Sequence, residues 1–373
     1  MGLNLSASRR RRLRTIGMAS AILLIGVMLA RLSPALSFAL VLVRPDAERW
    51  VAPVLDKVNV EATSVTTDDH HLAADLYRPR APRGALLLVH GLTPVGHRHP
   101  ELVRLARHFA AHQWLVLVPR FEGLAAFRLS GREVAEIRAA LRRLAEQRMP
   151  VAVAGLSFGA GPTLLAAADT PNLAFAASFG GYADLRDVIL FLTTGVHQLG
   201  GRRYVQAPEE YNRWKLLALL VGFVHEERDR RILEGVARHK LADPGVDTDE
   251  MEVGLGPEGQ AIRALVLNRR EDALPALLAA LPAEAQAALD ELSPLVAVPR
   301  LRGRLLIAHG AGDISIPFTQ SLRLAEASGG RARAVIFETF EHTTTQALWT
   351  SLGGWLRDGQ RLLWLADALL PPR

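Results

Sequence analysis

From about residue 58 onward, short apolar runs alternate with stretches in which apolar residues recur every three to four positions. Apolar runs between turns are typical of strands, and the wider spacing is typical of helices. The runs predict these strands: Val58–Thr66, Leu72–Arg78, Gly84–His90, Leu115–Pro119, Val151–Gly155, Phe175–Phe179, Arg304–His309 and Ala334–Thr339. The spacing predicts these helices: Pro100–His112, Arg132–Gln147, Phe158–Ala168, Phe318–Ala327 and Thr344–Leu365.

The direction of the strands also follows from the pattern. The first two strands, joined through Asp68, Asp69 and His70, predict an antiparallel hairpin. The later strands are continuous apolar runs separated by helices, which is typical of parallel strands buried on both faces. The chain is therefore expected to have an α/β fold with a doubly wound, mostly parallel, eight-stranded sheet.

One long stretch, residues 184–298, interrupts the alternation and contains no convincing strand pattern. Its helical segments are predicted at Arg186–Thr194, Tyr211–His225, Asp229–His239 and Ala273–Leu292. An insertion of this length inside a compact domain is seldom structureless. We expect it to form a helical cap over the strand ends, where open α/β sheets bind ligands. The core then comprises residues 50–183 and 299–373.

A basic and apolar segment, residues 1–44, precedes the core. Between Ile16 and Val43 the only charged residue is Arg31, and as one helix these residues would reach about 42 Å. That length crosses a bilayer with a hydrocarbon core of roughly 30 Å. The arginines at positions 9–14 favour a cytoplasmic N-terminus. The segment therefore predicts a transmembrane helix at residues 16–43, with the body on the outer (periplasmic or extracellular) side.

Two other interpretations of this segment remain open. Cleavage near Ser33–Ala35 would release a secreted protein, although the apolar Leu36–Val43 would then begin the mature chain. Alternatively, the segment is an amphipathic helix on the membrane surface. Arg31 and Pro34 interrupt the apolar run and leave Ile16–Ala30 short for a span.

Charge and cysteine content exclude several function classes. The net charge is +6, but residues 1–44 carry seven arginines and no acidic residue, so the remaining chain has a net charge of −1. Without a basic patch, nucleic acid is not an expected partner. The chain has no cysteine, which excludes disulfides, a cysteine nucleophile and thiolate zinc sites. No metal or organic cofactor is implied.

The motif Gly155-Leu-Ser157-Phe-Gly159 carries the strongest chemical signal. A predicted strand precedes it and a predicted helix follows, as in a tight turn that exposes the serine Oγ above a sheet. N–H groups at the start of the helix favour negative charge developing nearby. Although Ser157 could simply cap the helix, the flanking elements favour a nucleophile.

A serine nucleophile needs a base that accepts its proton. His342 follows the last predicted strand and leads into a helix, so it can lie over the carboxyl edge of the sheet. His90 and His309 each end a strand before a glycine and are expected to be structural. His97 and His99 have a loose metal-ligand spacing, but no carboxylate accompanies them, so we assign them to a surface loop.

The acid that orients the histidine should follow a strand between the serine and the histidine. Asp313 does so, and the order Ser157, Asp313, His342 is the order of an α/β-hydrolase. Asp184 and Asp187, after the sixth strand, are alternative acids, with a helix N-cap or first-turn role as the simpler interpretation.

On these residues the chain resembles the α/β-hydrolase superfamily, from about Val58 to the C-terminus. The segment 86–92 is similar to the strand and loop that carry the family's oxyanion hole. The resemblance implies that the backbone N–H groups of Leu92 and Phe158 form this hole, with Thr93 as a further contributor. The segment lacks the glycine run of the lipase-like branch.

The resulting hypothesis is a membrane-tethered serine hydrolase that cleaves a carboxylic ester or related acyl substrate through an acyl-enzyme. Apolar residues of the insertion, at 189–192, 216–224 and 277–281, predict a small-molecule substrate with an apolar acyl group. An acyltransferase with the same triad and a catalytically silent binding protein are the alternatives.

Overall fold

The computed structural model describes residues 34–42, 47–51, 55–338 and 352–372. Its strands are β1 Val58–Thr66, β2 His71–Pro79, β3 Gly84–Val89, β4 Trp114–Pro119, β5 Val151–Leu156, β6 Leu173–Phe179, β7 Val196–Leu199, β8 Arg202–Val205, β9 Arg304–Gly310 and β10 Ala332–Phe337. Eight of them form one sheet in the order β1-β2-β4-β3-β5-β6-β9-β10. β2 is antiparallel to β1 and β4, and the other pairs are parallel, which confirms the predicted sheet.

Helices cover the sheet and form the insertion. They are α1 34–42, α2 Glu48–Val51, α3 Pro100–Ala111, α4 Glu122–Ala125, α5 Gly131–Ala145, α6 Ala160–Ala168, α7 Leu185–Thr194, α8 Glu210–Val221, α9 Glu227–Ala242, α10 Pro257–Val266, α11 Leu274–Ala279, α12 Ala283–Glu291, α13 Thr319–Ala327 and α14 Leu352–Leu369. The predicted core helices match α3, α5, α6, α13 and α14, although residues 344–351 of the last one lie outside the described residues.

Strand β3 shows why both faces of the sheet are covered. All of its side chains are buried, and successive ones point to opposite faces. Leu86 and Leu88 pack in an apolar cluster that includes residues of α1, α3 and α14. Leu87 and Val89 pack in a second cluster, with residues of α5, α6 and the insertion. A strand with two apolar faces can be stable only between two layers, which gives the doubly wound arrangement.

The insertion contains helices α7 to α12, together with a hairpin that the sequence analysis missed. Strands β7 and β8 pair antiparallel across Gly200 and Gly201, whose φ angles are +54° and +76°. Two glycines between short strands are a typical two-residue hairpin turn, because glycine adopts positive φ without steric cost. The expectation of no strand in residues 184–298 is therefore wrong.

Two further helical regions of the insertion differ from prediction. Helix α10, Pro257–Val266, was not predicted. The single segment expected over residues 273–292 is two helices, α11 and α12, with Pro282 immediately before the second. Proline cannot donate to the preceding turn and instead favours the start of a helix, so it divides the segment.

Helix α1 lies within the predicted membrane segment, but it packs on the body of the protein. Phe38 is fully buried and its ring lies 4.3 Å from that of His108 on α3. His108 Nε2 lies 2.8 Å from the carbonyl oxygen of Phe38, and Ser37 Oγ lies 2.9 Å from His112 Nε2. Burial lowers the pKa of His108 to about 3, so this contact is made by a neutral imidazole.

This packing corrects the C-terminal end of the predicted membrane helix. Residues 34–42 contribute buried side chains to an apolar cluster of the core, and so they do not face lipid on all sides. Across the described parts of the chain, no helix combines the length and the apolar character needed to span a membrane. Residues 16–33 of the predicted span lie outside the described residues.

Candidate active site

Ser157 lies at the turn between β5 and α6, and its backbone has a φ of +51°. Left-handed backbone is costly for a residue other than glycine, and such strain is concentrated at functional sites. The flanking glycines allow the turn. A Cβ on Gly155 would lie 2.5 Å from Thr163 Oγ1, and one on Gly159 would overlap the carbonyl oxygen of His90. The sequence G-x-S-x-G thus forms a tight strand-to-helix turn with the serine at its apex.

The loop after β3 lies directly beside this serine. β3 and β5 are parallel neighbours with Val89 opposite Gly155, so their carboxyl ends coincide. A Cβ built on Gly91 would lie 3.0 Å from Ser157 Cβ and 3.5 Å from its Oγ. Among the described residues, the N–H of Leu92 has no hydrogen-bond partner, and that of Phe158 belongs to the first turn of a helix, where N–H groups lack intrahelical acceptors.

His90 fixes the start of this loop. Its Nε2 accepts a hydrogen bond from the N–H of Phe121 at 3.0 Å, which leaves Nδ1 as the protonated nitrogen that donates to Gly91 O at 2.8 Å. Burial lowers the pKa of His90 to about 4, in agreement with a neutral ring. His90 is thus a structural residue, as the sequence predicted.

The rest of the loop is held by β4 and β2. Arg120, which follows β4, donates to Pro94 O at 3.2 Å. His97 is buried and its Nε2 lies 3.6 Å from Asp75 Oδ2 on β2. The assignment of His97 to a surface loop is therefore wrong, because its carboxylate partner is 22 residues earlier in the chain and no local spacing shows it.

Asp313 is buried in the loop after β9, two strands away from β5 in the sheet. Its Oδ1 accepts hydrogen bonds from the N–H groups of Ser315 at 2.8 Å and Ile316 at 3.0 Å. Its Oδ2 lies 3.3 Å from His309 Nε2, which also lies 2.8 Å from Ile316 O. Two N–H donors directed at one carboxylate oxygen fix the orientation of the carboxylate.

The alternative acids have other partners. Asp184 is the N-cap of α7 and accepts from Arg186 N at 2.8 Å. Asp187 lies in the first turn of α7 and forms an ion pair with Arg323. Both aspartates thus have the helix-capping and first-turn positions that were the simpler interpretation of the sequence, and Asp313 remains the better candidate.

His342 lies outside the described residues. It follows the last residue of β10, Phe337, by five positions. Because β10 is parallel to β9 and next to it, with Phe337 opposite Gly310, the chain leaves β10 on the edge of the sheet from which the Asp313 loop begins.

An apolar pocket lies between the core and the insertion. One wall is Phe158, the residue after the serine, and most of the remainder comes from α7, α8 and α12 of the insertion. The lining residues are Leu129, Phe158, Leu185, Val188, Ile189, Leu192, Leu216, Leu219, Leu220, Phe223, Ala288, Leu289 and Leu292. The pocket therefore includes residues from two of the three predicted apolar segments, 189–192 and 216–224. The third segment, residues 277–281, does not line it.

Comparison with known proteins gives a likeness in structure alone. No family model matches the chain, and no curated protein matches it. The uncomplexed acylaminoacyl peptidase of Pyrococcus horikoshii superposes with a TM-score of 0.50 and 14% identity, over 87% of this chain and 44% of that one. This chain therefore spans less than half the length of that protein.

Two further solved structures have lower TM-scores. The α/β hydrolase GrgF from Penicillium sp. sh18 is 17% identical, with a TM-score of 0.48, over 83% of this chain and 99% of that one. The esterase domain of a Rhodothermus marinus protein is 17% identical, with a TM-score of 0.44, over 83% of this chain and 96% of that one. The strand order of this chain, its turn at Ser157 and its likeness to the Pyrococcus peptidase show that it has an α/β-hydrolase fold.

Proposed function

We propose that the protein is a serine hydrolase that cleaves a carboxylic ester or a related acyl compound. The turn at Ser157 is the observation that carries this proposal, because a left-handed serine between the glycines of G-x-S-x-G, at the end of a parallel strand and before a helix, is the arrangement of a serine nucleophile. The loop at Gly91 and Leu92 beside it supplies N–H donors where an acyl oxygen would be negative. The names of the similar structures, two hydrolytic enzymes and an esterase domain, agree with this class.

In the proposed reaction, Ser157 Oγ attacks the acyl carbon while His342 accepts the hydroxyl proton. The negative oxygen of the tetrahedral intermediate is bound by the N–H groups of Leu92 and Phe158. His342 then returns the proton to the leaving oxygen, and water hydrolyses the acyl-enzyme by the same steps. Asp313 holds the histidine in the required tautomer and stabilises the imidazolium.

The experiment that tests this proposal is covalent labelling of the purified protein by a fluorophosphonate. We expect labelling of wild type at Ser157, located by peptide mass spectrometry, and none of Ser157→Ala. An unlabelled wild-type protein would indicate the catalytically silent alternative. Esters offered with and without an added alcohol then distinguish a hydrolase from an acyltransferase, since only the latter forms the new ester as its main product.

The apolar pocket predicts how activity depends on the acyl chain. We expect kcat/KM on p-nitrophenyl esters to rise from acetate to medium-chain acyl groups, because each buried methylene contributes about 0.8 kcal/mol, or roughly fourfold. Steady-state kinetics on an even-numbered ester series would show the maximum. A profile that falls from acetate onward would reject the pocket as the acyl site and leave the triad intact.

A substitution in the pocket wall tests whether the pocket sets the preferred acyl-chain length. Leu219→Trp adds volume to the α8 wall and should move the optimum to shorter chains. The matched control is Leu267→Trp, since Leu267 is exposed and outside the pocket lining, and its optimum should equal that of wild type. Thermal unfolding shows whether overpacking, which costs about 1–3 kcal/mol, has destabilised either variant.

We also propose membrane attachment through residues 16–33, with the body on the outer side. Its support is the sequence: a single charged residue, Arg31, in an apolar segment that follows the arginines at 9–14. The full chain should stay in the membrane pellet after carbonate extraction, and a chain that begins at Pro34 should be in the supernatant. Release of the full chain by carbonate would contradict a span and favour the surface helix.

A further inference from the structure

The insertion places one lysine beside the acid loop. Lys215 lies on α8, and its Nζ is 3.0 Å from Asn212 Oδ1 on the preceding turn. Asn212 in turn donates to Ser315 Oγ at 2.9 Å, and the N–H of Glu209 donates to Ile314 O at 3.2 Å. The start of α8 is therefore fixed on the loop that carries Asp313.

The hydrogen-bond acceptor of the Lys215 ammonium differs from the partners of three arginines. Arg120, Arg213 and Arg323 each have carbonyl or carboxylate partners from other elements. Nζ of Lys215 instead has a neutral amide oxygen as its hydrogen-bond acceptor, and no carboxylate of the described residues lies within 4 Å of it. An ammonium has three donors, and the described residues provide one hydrogen-bond acceptor for them.

The partial burial of Lys215 increases its gain from a charged acceptor. Its side chain is half-buried, with Nζ 4.5 Å from the centre of the Tyr211 ring. Burial lowers its pKa, while the nearby carboxylates of Glu209 and Asp313 act in the opposite direction. A partly desolvated cation gains more from a charged acceptor than an exposed one does.

Lys215 is on the same helix as several residues that line the apolar pocket. Leu219, which lines the apolar pocket, is four residues later on α8, so the two side chains lie on the same face of the helix. Lys215 is therefore on the side of α8 that carries a residue of the pocket wall.

We propose that Lys215 is a specificity-determining residue that binds a carboxylate of the substrate at the acid-loop end of the site. This inference rests on the proposed hydrolase function and adds the charge of the substrate to it. The simpler possibility is that Lys215 is only a counterion that positions Asp313. A positioning role affects all substrates equally, whereas a binding role affects the anionic ones.

The test compares three esters of similar size in the full-length protein. They are p-nitrophenyl hexanoate, the p-nitrophenyl monoester of adipic acid, which has a carboxylate on the acyl chain, and the hexanoyl ester of 5-hydroxy-2-nitrobenzoic acid, which has one on the leaving group. We expect Lys215→Met to lower kcat/KM for at least one anionic ester about tenfold more than for the neutral ester, because hydrogen bonds to charged groups are strong. Lys215→Arg should restore part of this ratio.

Lys240→Met is the matched control. Lys240 is the other lysine of the insertion, and its Nζ lies 4.7 Å from the Trp214 ring. We expect its anionic-to-neutral ratio to equal that of wild type. An equal loss on all three esters in Lys215→Met, or no change in the ratio, would overturn the proposal. A wild-type protein inactive on all three would contradict the hydrolase function, and this inference with it.

Discussion

Replacing Ser157 with alanine should lower kcat on a p-nitrophenyl ester by about 10⁵-fold or more, because no acyl-enzyme can form without the hydroxyl. The measurement is steady-state hydrolysis with the spontaneous rate subtracted. Activity that stays within tenfold of wild type would eliminate a mechanism based on this serine.

The left-handed backbone at position 157 suggests a second variant that also lacks the serine hydroxyl. Ser157→Gly also lacks the hydroxyl, but glycine adopts a φ of +51° without the cost of about 1–2 kcal/mol that other residues incur. We expect it to be as inactive as Ser157→Ala and at least as stable toward denaturant. Two inactive and folded variants would show that the loss of activity does not arise from unfolding.

Replacing Asp313 with asparagine should lower kcat by roughly four orders of magnitude, because the orienting carboxylate is lost and the wrong histidine tautomer is favoured. An asparagine Oδ1 can still accept from the N–H groups of Ser315 and Ile316, but its Nδ2 would face His309 Nε2, so we expect some loss of stability as well. Kinetics and thermal unfolding of the same preparation separate the two effects.

Asp184→Asn is the matched control for this variant. Asp184 caps α7, and asparagine caps a helix about as well as aspartate does. We expect near-wild-type turnover and a small change in stability. If Asp184→Asn were the inactive variant and Asp313→Asn an active one, the acid would be misassigned.

Much of the fold could be predicted from the sequence because its strands have two buried faces. Continuous apolar runs such as Gly84–Val89 are unambiguous, and the glycines of the serine motif mark a turn in which a Cβ would collide with neighbours. The hairpin at Gly200 and Gly201 had an equally clear signal, two glycines between short strands, that was overlooked within a helical region.

Contacts between distant parts of the chain could not be predicted in this way. The proximity of His97 to Asp75, and of Asn212 to Ser315, depends on which strands are neighbours and on where the insertion packs. Local spacing contains no information about either. The same is true of α1: its apolar residues predicted contact with lipid, but Phe38 packs on α3 instead.

The packing of α1 also determines how freely the protein could move about an attachment point. A flexible linker of nine residues has an end-to-end distance of roughly 15–18 Å, so it would let a domain move by that distance from its anchor. Residues 34–42 provide no such freedom, because Phe38 and Ser37 are fixed to His108 and His112. If the preceding residues are held at a membrane, residues 34–42 add no flexible tether between that attachment and the core, so the domain would work close to the bilayer surface.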